Sequence, residues 1–323
     1  MELIDPKNTQ VILIGASKFD ATNDNLPDLP NVKNNLIELH KSLNEFVGID
    51  ADNIHPILDK DDFDTIIEET IDIFSDASDT IIVYYAGHGI PKSNSFYLAT
   101  KRTTVLKKQC TRAIESSKLV DLVIQETRAK NIIFIIDCCF SARLKEKVDS
   151  KGKKNVFFIV AASSNKPAKD TSPENKDCTA FTHELLEIFR KGIDNVGEFL
   201  TFQDITNQLI KQLKAKNLPV PQLSSHGQPD ILGVCKNNAK PIINKQPEII
   251  DNKSDIKQLI TLKEQHIKLV ENKLSILKEQ KELGFQMDKK SDLEKIIIAT
   301  NDDAEQIKEE INDLQKRLII KNV

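Results

Sequence analysis

Ile132-Ile133-Phe134-Ile135-Ile136 is apolar at every position. A strand that alternates apolar and polar residues buries one face, whereas a continuously apolar strand has both faces covered. Similar runs occur at Thr9 to Gly15, Thr80 to Ala86 and Val156 to Ala161. Helical spacing fills the gaps between them. Val32, Leu36, Leu39, Leu43 and Phe46 mark Asn31 to Phe46, and Ile66, Ile67, Ile71 and Phe74 mark Asp64 to Phe74. Strands that alternate with helices predict a mostly parallel sheet with helices on both faces.

The remaining elements are weaker. Asn53 to Leu58 and Phe96 to Leu98 read as short strands. Ser116 or Ser117 suits the N-cap of a helix running to about Thr127. Phe181 to Phe189 and Phe202 to Leu213 read as helices, with a polar loop at Ser163 to Cys178 before them. Leu223 to Leu232 reads as a last strand, broken by Gly227 and Pro229.

After Cys235 the composition changes. Residues 236–253 are polar and carry Pro241 and Pro247, which predicts a linker between a domain at 1–235 and a second module at 254–323. In that module Ile260, Ile267, Val270, Leu274 and Leu277 fall at heptad-like spacings, as do Ala304, Ile307, Ile311, Leu314 and Leu318. Gly284 and Asp288-Lys289-Lys290-Ser291 mark a turn between the two stretches, so an antiparallel coiled-coil hairpin is expected.

Charge and composition exclude several classes. A net charge of -4 and the absence of Trp argue against a nucleic-acid partner. No stretch is long and apolar enough to span a bilayer, so no membrane partner is expected. Five cysteines without a CxxC pair predict reduced thiols in a cytoplasmic protein rather than a zinc site. The start, Met1-Glu2-Leu3-Ile4-Asp5-Pro6, lacks the apolar core of a secretory leader.

Two of the apolar runs end in chemistry. The first leads into Tyr84-Tyr85-Ala86-Gly87-His88-Gly89, and the second into Asp137-Cys138-Cys139-Phe140-Ser141-Ala142. Parallel strands deliver their carboxyl ends to one edge of a sheet, where ligands bind. A thiol attacks a carbonyl only as thiolate, and an imidazole beside it supplies the base. His88 and a cysteine are therefore the candidate pair, and backbone N–H groups of Gly89 and Cys139 are candidate donors to the oxyanion. Either residue alone would more often be inert.

The two motifs resemble the caspase-like cysteine peptidases, and within them the prokaryotic metacaspase-like group. That group carries a YYAGHG motif at the histidine and a D-x-C-H-S-G motif at the cysteine. The resemblance covers about the first 235 residues, with support from Leu29-Pro30, Asn34-Asn35, Tyr97-Leu98, Ala161-Ala162-Ser163 and Phe181-Thr182. It implies a six-stranded, mostly parallel caspase-like sheet and a cysteine endopeptidase that acts on protein substrates. In the motif the third position is the nucleophile, which implies Cys139 rather than Cys138. Phe140 replaces the family's usual His and Ala142 its usual Gly.

The resemblance also implies a basic P1 specificity. Asp137 matches the carboxylate of the S1 pocket, Ser163 lies in another S1 segment, and Asn35 is neutral where the group has a second acid. Arg143, Lys145 and Lys147 fall in the place of the family's self-cleavage linker, although a solvated basic run explains them equally well. Many members use calcium. Asp59, Asp61, Asp62 and Asp64 form an acidic cluster, but the acidic bias of a helix start accounts for them too, and metal is left unassigned. The terminal hairpin resembles the coiled-coil pieces attached to bacterial conflict-system effectors. This implies an activating or recruiting protein and a latent protease in antiviral defence or cell death. The competing expectation is a pseudo-peptidase adaptor that acts through the hairpin alone.

Overall fold

A computed structural model describes residues 2–20, 26–92, 95–107, 110–138, 154–161, 177–226 and 231–239, together with helical positions between 260 and 275 and at 308 and 311. The chain divides into two compact units, Met1–Pro241 and Ile242–Val323. In the second unit the described positions are helical, and Lys308 Nζ lies 3.5 Å from Glu271 Oε1. Ile311 there is buried, while Leu274, Leu277, Ala304, Ile307, Leu314 and Leu318 of the expected seam lie outside the described residues. Among the described residues no helix is long and apolar enough to cross a membrane.

The first unit is built on six strands: β1 (Thr9–Gly15), β2 (Ile54–Leu58), β3 (Thr80–Ala86), β4 (Asn131–Asp137), β5 (Asn155–Val160) and β6 (Gln222–His226). Their order in the sheet is β6-β5-β4-β3-β1-β2. All neighbours are parallel except β6, which runs antiparallel to β5. The helices are α1 (Asn31–Ser42), α2 (Phe63–Asp76), α3 (Ser116–Glu126), α4 (Ala180–Lys191) and α5 (Phe202–Ala215). Alternate strand residues feed two separate cores. Leu13, Tyr84, Ile133, Ile135 and Phe157 pack with α1, α4 and α5. Ile12, Tyr85, Ile132, Phe134 and Phe158 pack with α2 and α3. The mostly parallel six-stranded sheet expected from the sequence is thus present, covered on both faces.

Strand order places a topological switch point between β1 and β3. From β1 the chain moves outward to β2, then returns across β1 to β3 and continues to β4 and β5. The segments that leave the carboxyl ends of β1 and β3 therefore diverge, and such switch points open a crevice at the sheet edge. The loop of residues 16–30 leaves β1 there, and the His88 turn leaves β3.

Three local expectations are corrected. The helix at Asn31 ends as a regular helix at Ser42 and finishes in a wider turn over Leu43–Val47, closed by Gly48 at φ 83°. Helix α3 has no serine cap: Ser116 is its first residue, because Glu115 is still paired as a strand with Tyr97 and leads straight into the helix. The segment Leu223 to Leu232 is two strands in different sheets. β6 completes the main sheet, whereas Leu232–Lys236 joins Glu2–Leu3 and Phe199–Thr201 in a small one. Packing continues to Ala239, since the Asn237 side chain accepts the Ile193 N–H and donates to the Ile193 carbonyl.

Lys154 ends the basic segment with a structural role. Its Nζ donates to the Ile124 carbonyl at 2.6 Å and the Thr127 carbonyl at 2.5 Å, at the C-terminal end of α3. These carbonyls have no partner within the helix, and a cation there also meets the negative end of the helix dipole. Burial lowers the pKa of the ammonium. Replacing Lys154 with Met keeps the length and removes the donors. Chemical denaturation is expected to show a loss of about 1 kcal/mol, in line with a partly buried cation at a helix end.

Candidate active site

The histidine turn is built by the second tyrosine of its motif. Tyr84 and Tyr85 point to opposite faces of the sheet, as successive strand residues must. The Tyr85 hydroxyl lies 3.0 Å from the His88 carbonyl and 2.9 Å from the Ala99 carbonyl, and donates to them. The Ala99 N–H donates to the His88 carbonyl as well, at 2.9 Å. The chain can swing past this hydroxyl only because residue 87 lacks a side chain. A Cβ on Gly87 would lie 2.4 Å from Tyr85 Oη. Beyond the turn, Gly89–Lys92 pairs antiparallel with Ser95–Leu98, with Gly89 opposite Leu98.

The imidazole of His88 is half-buried and held on two sides. Its Nε2 lies 2.8 Å from the carbonyl oxygen of Pro27. A carbonyl accepts and cannot donate, so Nε2 carries a proton, and in the neutral imidazole Nδ1 is left with the lone pair. The Phe19 ring packs against the imidazole with centroids 4.9 Å apart and planes tilted by 50°. Both contacts come from the loop after β1. A neutral imidazole fixed in this tautomer presents Nδ1 as a base.

Asp137 is the last residue of β4, opposite Ala86 of β3, and it is 5% exposed. Its Oδ2 accepts from the hydroxyls of Thr179 at 2.5 Å and Thr182 at 2.7 Å. The Tyr84 hydroxyl and the Asn35 amide each lie 3.4 Å from the same oxygen. Asn35 is fully buried and clamps Thr179 twice: its Nδ2 donates to Thr179 Oγ1 at 2.8 Å, and its Oδ1 accepts the Thr179 N–H at 3.0 Å. Burial and the Asp137 charge push the Tyr84 hydroxyl pKa well above its ordinary value, so Tyr84 stays a neutral donor. The structure therefore brings two of the expected S1 residues, Asp137 and Asn35, into one hydrogen-bonded cluster.

Cys139, Ser163, Arg143, Lys145 and Lys147 lie outside the described residues. Cys138 is described, and it is 2% exposed in the core shared with α2 and α3. The acidic cluster does not form a cation cage. Both oxygens of Asp59 accept from Ser17, Asp61 faces Lys101 and Arg102, and Asp62 caps α2 by accepting the Thr65 N–H. Among the described residues no group of three or more His, Cys, Asp or Glu could hold a metal ion. Asp59, Asp61 and Asp62 are committed to protein partners and do not fit calcium.

Sequence reasoning missed Pro27, Phe19, Tyr84, Thr179 and Thr182. Pro27 contributes a backbone carbonyl, which leaves no mark in residue type. Thr179 and Thr182 are more than 40 positions from Asp137 in the chain, and only the fold joins them. Tyr84 was visible as a motif residue, and its alternation with Tyr85 across the strand is the signal that separates their roles.

A family model described as "Caspase domain" matches residues 9–232. Two solved structures are among the matches to this chain. Protein GSU0716 from Geobacter sulfurreducens is 12% identical with a TM-score of 0.47, over 69% of this chain and 95% of that one. Caspase-1 from Spodoptera frugiperda is 13% identical with a TM-score of 0.48, over 69% of this chain and 90% of that one. No curated protein matches the sequence.

Gly87 tests the construction of the turn. In Gly87→Ala the new methyl must displace the Tyr85 hydroxyl or the His88 turn. Overpacking of this kind costs about 1–3 kcal/mol. Thermal unfolding is expected to show that loss, and Gly87→Ala in a Tyr85→Phe background is expected to recover part of it.

Proposed function

This chain belongs to the caspase-domain family, and from that premise we propose that it is a cysteine endopeptidase with Cys139 as nucleophile and His88 as base. The observation that carries the proposal is the contact of His88 Nε2 with the Pro27 carbonyl oxygen at 2.8 Å. With Nε2 committed to the Pro27 carbonyl, Nδ1 is the atom that takes the thiol proton. Chain counting supports the pairing: His88 is two residues beyond Ala86, and Cys139 is two residues beyond Asp137, the register partner of Ala86. The burial of Cys138 in the core favours Cys139 over its neighbour.

In the proposed reaction the Cys139 thiolate attacks the scissile carbonyl carbon. The oxygen gains the negative charge and is met by the N–H groups of Gly89 and Cys139. Collapse of the intermediate breaks the C–N bond, and the proton on Nδ1 passes to the leaving amine. Water then hydrolyses the acyl-enzyme, with Nδ1 again accepting a proton. Asp137 is assigned to the S1 pocket, where Arg or Lys at P1 would pair with its carboxylate. Asn35 and Ser163 complete that pocket. The hydroxyl and amide donors on Oδ2 fix the carboxylate, and the neutral Asn35 leaves less negative charge than a second acid would. The terminal unit is assigned to recruitment or release of the protease.

Thiol chemistry and substrate choice test the proposal together. Burial pushes the thiol pKa of Cys178 up to about 11 and that of Cys235 up to about 12. Both thiols are therefore protonated at pH 8. Iodoacetamide at pH 8 is expected to alkylate Cys139 in the folded protein and to spare Cys138, Cys178 and Cys235, as read by peptide mass spectrometry. Cleavage of peptides with Arg or Lys at P1 should vanish in Cys139→Ala and in His88→Ala. It should fall on the order of 100-fold in Asp137→Asn, the usual cost of removing one partner of a desolvated charge pair. Preference for Asp or an apolar residue at P1 would refute the S1 assignment.

Self-processing would occur at Arg143, Lys145 or Lys147. Lys154 is withdrawn from that basic segment by its bonds to the end of α3. Intact-mass analysis of active and Cys139→Ala protein is expected to show cleavage at those residues in the active form alone.

A further inference from the structure

We propose that Phe19 and Asp28 are positioning residues for His88, closing the loop after β1 so that its two limbs grip the imidazole. The proposal rests on the assignment of His88 as the base. Two bonds cross the loop. The Leu29 N–H donates to the Ser17 carbonyl at 2.8 Å, and the Phe19 N–H donates to Asp28 Oδ1 at 3.0 Å. The first limb carries the Phe19 ring to the imidazole, and the second carries the Pro27 carbonyl to Nε2.

The loop is anchored beneath this clasp. Asp59, just past β2, accepts from the Ser17 N–H at 2.6 Å, the Ser17 hydroxyl at 2.7 Å and the Lys18 N–H at 3.1 Å. Asp59 adopts φ 55°, which aspartate tolerates better than most residues. The carboxylate that the sequence places in an acidic cluster thus belongs to the loop that holds the base. Without the Asp28 bond, only the Leu29–Ser17 bond crosses the loop, and the limbs that carry Phe19 and Pro27 loosen beyond it. The imidazole then loses its ring contact and the acceptor that fixes its tautomer. An orientation error of this kind lowers the rate of proton transfer and leaves substrate binding in place.

The test combines kinetics with side-chain NMR on the full chain. Proton–nitrogen correlation spectra of histidine-labelled protein, assigned with His88→Gln, report which nitrogen of His88 is protonated. The wild type is expected to show a single Nε2–H tautomer. Asp28→Ala and Phe19→Ala are expected to show averaged nitrogen shifts and a kcat lowered by about 10-fold, with KM within about 2-fold. Asp28→Asn keeps an oxygen acceptor and is expected to restore both signals. A fixed tautomer in Asp28→Ala, or an Asp28→Asn variant as impaired as Asp28→Ala, would overturn the proposal. If the wild type fails to react at Cys139, the peptidase assignment falls, and the nitrogen shifts still decide the clasp.

Discussion

Seven consecutive pairs join β3 to β4, from Thr80 opposite Asn131 to Ala86 opposite Asp137. The period of a strand is two, so a slip of one residue would turn every side chain to the opposite face. Tyr84 would leave the Asp137 cluster, and Tyr85 would leave the His88 turn. Burial on both faces does not by itself fix this register, because Ile, Val and Phe suit either side. The polar ends do. Tyr84, Asp137, Thr179 and Thr182 satisfy one another in one register, and any other would strand a buried hydroxyl or carboxylate at a cost of about 1–3 kcal/mol or more.

Asp137 shows how such a group is tolerated. A carboxylate at 5% exposure is costly unless hydrogen-bonded. Its donors come from three parts of the chain: Asn35 on α1, Tyr84 on β3, and Thr179 and Thr182 at the start of α4. The carboxylate therefore pins the N-terminal ends of two helices to the end of the central strand. A residue assigned to substrate recognition is also a joint of the fold, so Asp137→Asn is expected to affect both stability and specificity.

Residues 9–15, 80–86 and 131–136 were legible as strands because each carries an unbroken apolar run, Val11 to Ile14, Ile81 to Ala86 and Ile132 to Ile136, and two helices were legible from their periodicity. The His88 turn was legible because His between two glycines follows such a strand. The Pro27 carbonyl was not, since a residue of any type supplies a main-chain carbonyl. The split of Leu223 to Leu232 was not, because local pattern cannot say which sheet a strand joins. The partners of the acidic cluster were not legible for a related reason: proximity in sequence says nothing about direction, and the fold sends Asp59, Asp61 and Asp62 to different partners.

The sheet also separates two kinds of work. On the side of α1 and α4 lie Tyr84, Asn35 and Asp137, the group assigned to reading the substrate. On the side of α2 and α3 lie Tyr85 and Cys138, which pack beneath the end of the strands and, through the Tyr85 hydroxyl, hold the histidine turn. Tyr84 bonds to Asn35, Asp137 and Thr182, whereas Tyr85 bonds to the His88 and Ala99 carbonyls. Substitutions on the α1 face should act chiefly on substrate preference, and those beneath the turn chiefly on the rate of the chemical step. The adjacent tyrosines of the motif mark that boundary: one strand position moves a hydroxyl from the recognition cluster to the support of the base.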